Sequence, residues 1–150
     1  MSIVIRQAGP ADTAIIADFN RLLAHETEGK ELDRAVLERG VRAVLDDAHK
    51  GLYFLAERDG QAIGQIGTTY EYSDWRDGWF WWVQSVYVVP SARRQGVFRS
   101  LYRHVEEAAR QVGVIGIRLY VERENRPAHD TYRGLGLDWT SYLVMEKYPL

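Results

Sequence analysis

Apolar positions along this chain recur in two rhythms, every third or fourth residue in some stretches and every second in others. Ser2 to Arg6 is rich in β-branched residues and predicts an opening strand. Gly9 and Pro10 mark a turn, and Asp12 can start a helix. Ile15, Ile16, Phe19, Leu22 and Leu23 then keep helical spacing to about His25. The polar stretch Glu26 to Glu31 interrupts that spacing and reads as a loop. A second helix is expected from near Asp33, carrying Val36, Leu37, Val41, Val44 and Leu45, with Gly40 weakening its middle and Gly51 as its stop.

The rhythm then changes. Tyr53 to Ala56 is a short apolar run, Arg58-Asp59-Gly60 a turn, and Ala62 to Tyr72 the returning strand. After a polar turn from Ser73 to Gly78 comes a long strand, Trp79 to Val89, ended by Pro90. Alternation puts Trp79 and Trp81 on one face and Phe80 and Trp82 on the other. Beyond Arg93, the positions Phe98, Leu101, Val105, Ala108 and Val112 form the apolar stripe of a helix packed on a sheet. Ile115 to Val121 predicts a strand, Pro127 to Leu135 a short helix, and Ser141 to Lys147 a last strand. The order β-α-α-β-β-β-α-β-α-β, with no repeat or linker, predicts one α/β domain over residues 1–150.

Composition narrows the function classes. At 46% apolar and 27% charged residues the 150-residue chain is an ordinary globular one. A formal net charge of -2 argues against a general nucleic-acid binder. The chain has no cysteine, which removes disulfides, thiolate metal sites and a cysteine nucleophile. The first residues read as neither a signal peptide nor a membrane span, so the expected location is the cytoplasm, with no membrane partner. The four histidines lack ligand spacing, so no metal is expected.

The candidate chemistry starts at Arg93 to Ser100, RRQGVFRS, which opens a helix. A helix N-terminus presents unpaired N–H groups and attracts anions, and glycine lets backbone approach a ligand. Taken alone, this is an ordinary basic helix start. It is not a Walker loop, because no Gly-Lys-Ser/Thr follows, and it is not a dinucleotide fingerprint. A second segment, VERENRPAHDTYRGLGL, carries Asn125, Ala128, Tyr132, Gly136 and Leu137.

The strand ending QSVYVVP, the loop and this distal segment together resemble the GNAT N-acetyltransferase superfamily. That family has a Q/R-x-x-G-x-G/A loop, which Arg93-Arg94-Gln95-Gly96-Val97-Phe98 fills except that Phe98 replaces the small last residue. The family's Asn, Ala, Tyr and Gly-aliphatic spacing matches Asn125, Ala128, Tyr132, Gly136 and Leu137. The resemblance implies a mixed, mostly antiparallel sheet flanked by about four helices, with acyl-CoA bound where the fourth and fifth strands splay. It implies acetyl-CoA as co-substrate, with the amides of Arg94, Gln95, Gly96, Val97, Phe98 and Arg99 around the pyrophosphate and Arg93 beginning the loop. It further implies that backbone around Val86, Tyr87 and Val88 pairs with the pantetheine arm. Asn125 and Ala128 would contact the cofactor, and Tyr132 would protonate the departing thiolate, which suits a phenol of ordinary pKa near ~10.

The base stays open. Where some members carry a strand-borne glutamate this chain has Trp82, and neither Trp82 nor Gln84 two residues on can take a proton. Glu26 and Glu28, Glu71 and Asp74, or a water relay are the alternatives. Tyr70, Trp82 and Gln84, with Glu26 and Glu28, are expected to line a pocket for a small cationic amine. The competing readings are a protein N-terminal or lysine acetyltransferase and a non-catalytic acyl-CoA-binding module. A homodimer is compatible with the many aromatics but not required by them.

Overall fold

The first strand and first helix are locked together by one arginine. Arg6, on β1 (Val4–Gln7), donates to both oxygens of Asp12 at 2.9 and 2.8 Å and to Glu57 at 3.0 Å. Asp12 also accepts from the N–H of Gly9 at 2.9 Å, fixing the 3-10 turn Pro10–Asp12 that leads into α1 (Thr13–Glu28). The hydrogen bond from Arg6 holds the Asp12 carboxyl below its ordinary range.

The computed structural model describes residues 2–150, which fall into two units, one ending at Leu119 and one running from Tyr120 to Leu150. In the first unit α1 is followed by α2 (Arg34–Asp46), β2 (Leu52–Arg58), β3 (Gln61–Ser73), β4 (Gly78–Val88), α3 (Val97–Gln111) and β5 (Gly116–Leu119). The sheet order is β1-β2-β3-β4-β5, antiparallel throughout except for the parallel β4–β5 pair. The second unit contains α4 (Arg126–Gly134). The mixed sheet and four helices are the architecture expected from the sequence. No helix among the described residues is long and apolar enough to cross a membrane.

Both sheet faces are covered. Phe54, Ile66, Trp81 and Val83 pack with Val97, Leu101 and Val105 of α3. On the other face Tyr53, Leu55 and Tyr87 pack with Ile16, Phe19 and Val41 of α1 and α2. Consecutive residues of β2 thus serve opposite cores, which is why that strand reads as an unbroken apolar run. Gly64 makes room for α3, since a Cβ there would lie 3.0 Å from the Tyr87 carbonyl oxygen and 3.2 Å from Val97.

Several boundaries differ from expectation. The helix α1 continues through Glu26 and Glu28 and ends at Gly29, which takes a left-handed φ of 63°. Those two glutamates stand on a helical turn rather than in a loop. Asp33 caps α2 by accepting from the N–H of Val36 at 3.1 Å, but the helix stops at Asp46, before Gly51. The buried stripe of α3 is Val97, Leu101, Tyr102, Val105 and Ala109, rotated from the expected one, and Val112 is exposed beyond the helix end. Trp79 is exposed at the start of β4, although it shares a face with the buried Trp81. The strand predicted at Ser141 to Lys147 is not found: the described residues there belong to no strand and are exposed.

Candidate active site

The Arg93–Arg99 loop is shaped by two left-handed residues. Arg94 has φ of 63° and Gly96 φ of 80°, and Gly96 is the N-cap of α3 with no side chain capping the helix. Alternating handedness turns successive N–H groups toward one side, forming an anion-binding concavity. It leads into the positive end of a 15-residue helix, whose opening N–H groups have no carbonyl one turn back. A Cβ at Gly96 would meet nothing within 4 Å, so the glycine answers to the backbone angle and to an open approach rather than to crowding. Val97 is buried and lends only its amide. The Phe98 ring turns to the core beside Tyr102, their centroids 6.2 Å apart, so a large side chain is accommodated where a small one was expected.

Arg93 is tied back from this concavity. Its Nε donates to the Val88 carbonyl at 2.9 Å, its Nη2 to Glu26 Oε2 at 2.8 Å, and its guanidinium lies 5.5 Å from the Tyr87 ring centroid. Tyr87 donates its hydroxyl to Glu26 Oε1 at 3.3 Å, and burial, with the Glu26 charge, pushes that phenol up. The side chain of Tyr87 is therefore committed, leaving its backbone for any ligand. Arg94 and Arg99 are exposed on the loop and the first helical turn.

Beside the loop, β4 breaks its own register. Gly67 faces Gln84 while Gln65 faces Tyr87, so between these pairs one residue of β3, Ile66, opposes two of β4, Ser85 and Val86. The bulge centres on Ser85, at a left-handed φ of 51°. It reverses the strand's facing: Trp81 and Val83 join the α3 core before it, and Val86 and Val88 pack there after it. A buried chain of polar groups supports the bulge. Gln65 Nε2 donates to the Ser85 carbonyl at 3.1 Å and to Asn20 Oδ1 at 2.7 Å, and Asn20 donates to the Tyr53 hydroxyl at 3.1 Å. The parallel β4–β5 pairing runs from Phe80 with Gly116 to Val83 with Leu119 and stops there. Among the described residues of the first unit, no strand pairs with Gln84 to Val88 of β4 on that side.

The carboxylates and aromatics divide into separate groups. Glu26 belongs with Arg93 and Tyr87, whereas Glu28 is exposed and pairs with Lys30 at 3.4 Å. Trp82 Nε1 donates to Glu71 Oε1 at 3.0 Å, and that oxygen also accepts from Arg118 at 2.7 Å. Arg118 in turn sits 3.9 Å over the Phe80 ring. Gln84 donates to Thr69 Oγ1 at 3.3 Å on the same face. Tyr70 is not with them. It pairs across strands with Trp81 on the α3 face and donates its hydroxyl to the Ala48 carbonyl at 2.7 Å. Asp74 lies exposed in the β3–β4 turn. Among the described residues no group of three or more His, Asp or Glu side chains is gathered as a metal would require.

In the second unit, Asn125 caps α4: its side-chain oxygen accepts from the N–H of Ala128 at 3.3 Å. That oxygen is thus spent locally, and only the amide nitrogen end is left to reach outward. The helix closes on Gly136, at φ of 93°, with the N–H of Leu137 donating to the Tyr132 carbonyl at 3.0 Å. The Gly-Leu pair of the motif is therefore a helix stop. Burial pushes the Tyr132 phenol above its ordinary 10.0, favouring the protonated form.

The model of the acetyltransferase (GNAT) family matches residues 16–137, most of both units. The chain belongs to the GNAT family. Its class of chemistry is N-acetyl transfer, and the family uses acetyl-CoA. A crystal structure described as a possible acetyltransferase from Clostridium difficile 630 is similar over 100% of this chain and 99% of its own, at 43% identity and a TM-score of 0.92. The aminoalkylphosphonate N-acetyltransferase of Salmonella typhimurium is 31% identical over 128 residues, 85% of this chain and 80% of that protein. An uncharacterized N-acetyltransferase of Bacillus subtilis, YhfO, is 29% identical over 135 residues, 89% of each.

Within this GNAT chain, three residues around the loop and strand escaped the sequence reading, as did the hydroxyl contact of Tyr87. Gln65 and Asn20 hold the bulge, the Tyr87 hydroxyl meets Glu26, and Arg118 anchors Glu71. Gln65 left one trace, a lone polar residue in the run AIGQIG. The bulge left another. Apolar residues at 81 and 83 give way to apolar residues at 86 and 88, a change of parity that signals an inserted residue.

Proposed function

We propose that this GNAT enzyme works as one domain over residues 1–150 and transfers an acetyl group directly from acetyl-CoA to a primary amine of a small molecule. The observation that carries the reading is the pairing of two backbone features on one strand-loop unit. Among the described residues of the first unit, the edge of β4 beyond Val83 has no strand partner on the β5 side, and it runs straight into a glycine-containing loop at the start of α3. An extended arm can lie along the first, and a pyrophosphate can settle in the second. The name of the Salmonella relative supports a small amine as acceptor.

In this reading the amides of Arg94 to Arg99 hold the pyrophosphate, with Arg94 and Arg99 adding charge. Backbone at Val86 and Val88 pairs with the pantetheine arm and polarises the thioester carbonyl. Asn125, through its amide nitrogen, and Ala128 contact the cofactor. The amine attacks in its neutral form, so one proton must leave it and one must reach the departing sulfur. Tyr132 supplies the second, and its raised pKa keeps that proton in place to alkaline pH. Glu26 acts as a positioning residue, because its two oxygens are engaged by the Tyr87 hydroxyl and by Arg93. Proton removal falls to Glu28 or to a relayed water. Trp82 and Gln84, with Glu71 behind them, form one wall of the acceptor site.

The test is a CoA-release assay with purified protein, acetyl-CoA and a panel of small amines. Tyr132→Phe should lower kcat by about 10²–10⁴ and leave acetyl-CoA affinity within about twofold. Because the phenol pKa is raised, the wild-type rate should not fall from loss of this proton until the pH passes about 10. Equal turnover of wild type and Tyr132→Phe across the pH range removes Tyr132 from the acid role. No CoA release with any amine, alongside intact acetyl-CoA binding, overturns the enzymatic reading in favour of a binding module.

A further inference from the structure

The sheet face that carries Trp82 and Gln84 also carries one carboxylate whose two oxygens are used unequally. Glu71 Oε1 accepts from Trp82 Nε1 at 3.0 Å and from Arg118 Nη1 at 2.7 Å. Among the described residues, Glu71 Oε2 has no hydrogen-bond partner. The two members of the ion pair are also placed differently. The Arg118 side chain is 20% exposed, with its guanidinium 3.9 Å from the Phe80 ring centroid, whereas the Glu71 side chain is 45% exposed. The carboxylate is thus the outer member, its plane set by two donors and its second oxygen presented outward. Gln84 stands on the same face, about 7 Å farther along β4 than Trp82 at the usual rise per residue, where the parallel pairing with β5 has just ended.

An oxygen held in this way is a fixed acceptor, and it matches an alkylammonium, which brings N–H donors and a positive charge. Arg118 does not cancel that attraction. A cation touching Oε2 at about 3 Å lies about 6 Å from the guanidinium, so attraction exceeds repulsion about twofold at equal screening. Arg118 is itself poorly placed to take an anion, since one end is spent on Glu71 and one face on Phe80. We infer that Glu71 reads a second, distal ammonium on the acceptor, so that the preferred substrates are α,ω-diamines. This rests on the proposed transfer at the edge of β4, where the near amine meets the thioester. The spacing sets the linker. Covering about 7 Å at roughly 1.25 Å of reach per bond takes about six bonds, a run of about five methylenes between the nitrogens.

The experiment measures kcat/KM by CoA release for three matched series, α,ω-diamines, n-alkylamines and ω-amino acids, from propane to octane length. Diamines should exceed the matching monoamines by about tenfold to a hundredfold, the worth of a hydrogen bond to a charged group, with the best linker near pentane length. The ω-amino acids, with a carboxylate at the far end, should fall below the monoamines. Glu71→Gln keeps a carbonyl oxygen for Trp82 and Arg118 but removes the charge, and should bring the diamine-to-monoamine ratio toward one. A ratio that Glu71→Gln leaves unchanged overturns the proposal, as does a wild-type ratio near one, and in both cases transfer to amines still stands. The ω-amino acids proving best would also overturn it and assign the far site to Arg118. If no amine is turned over, the transfer reading falls, and calorimetric titration of the pentane-length diamine decides the site. Binding weakened about tenfold or more by Glu71→Gln supports it, and binding that is absent or unchanged by the substitution overturns it.

Discussion

The two halves of β4 follow opposite rules. From Phe80 to Val83 the strand is paired on both sides, with β3 and β5, and buries Trp81 and Val83. From Gln84 to Val88 it is paired on one side, kinked at Ser85 and held by a buried glutamine. The first half satisfies its main chain internally and contributes to stability. The second withholds its main chain from β5 and must be braced by side chains instead. A fold that leaves strand backbone open for a ligand needs a device that stops the neighbouring strand from closing over it, and here a bulge and a short β5 serve.

Substitutions in the two halves should therefore separate stability from activity. Trp81→Ala, in the fully paired half, should cost about 3–5 kcal/mol in denaturant unfolding, while the acetyl-CoA KM of the folded protein stays near wild type. Gln65→Leu removes the brace and should cost about 1–3 kcal/mol. It should also cut kcat/KM for acetyl-CoA by about tenfold, or ~1.4 kcal/mol. An unchanged kcat/KM would mean that the brace serves stability alone. Gly96→Val forces a β-branched residue into a left-handed angle at about 1–2 kcal/mol and should raise the acetyl-CoA KM before it affects kcat. Ser85→Gly should be the mildest. Relief of the left-handed angle and the greater freedom of glycine in the unfolded chain oppose each other, leaving a net change below about 1 kcal/mol. A large loss there would show that the Ser85 side chain, and not only its backbone, matters to the bulge.

The order of elements up to β5 was legible because each carries a clear rhythm and a stop signal. Gly29 and Asp33, for instance, bracket the turn between α1 and α2. What stayed hidden depended on contacts far apart in sequence. Glu26 read as a loop residue because a polar last turn looks like a loop, and its partner Arg93 lies 67 positions away. Tyr70 and Trp82 looked like neighbours in a row of aromatics, yet pleating sends them to opposite faces of the sheet. The strand expected after Ser141 is not among the described strands, because a strand needs an edge to pair with, and one-dimensional pattern does not supply one. The loop was legible as a basic helix start with a glycine. That Arg93 points away from it was not.

The ion pair between Glu26 and Arg93 has a consequence for the medium. It joins the last turn of α1 to the first residue of the loop, and both side chains are over a third exposed. Such a pair contributes only about 0–1 kcal/mol, and dissolved salt weakens it over a screening length of about 8–10 Å. Ionic strength therefore acts on the proposed cofactor loop twice, by competing for the anion site proposed there and by loosening the strut that sets where the loop begins. A buffer chosen for convenience becomes a variable of the protein's own mechanics.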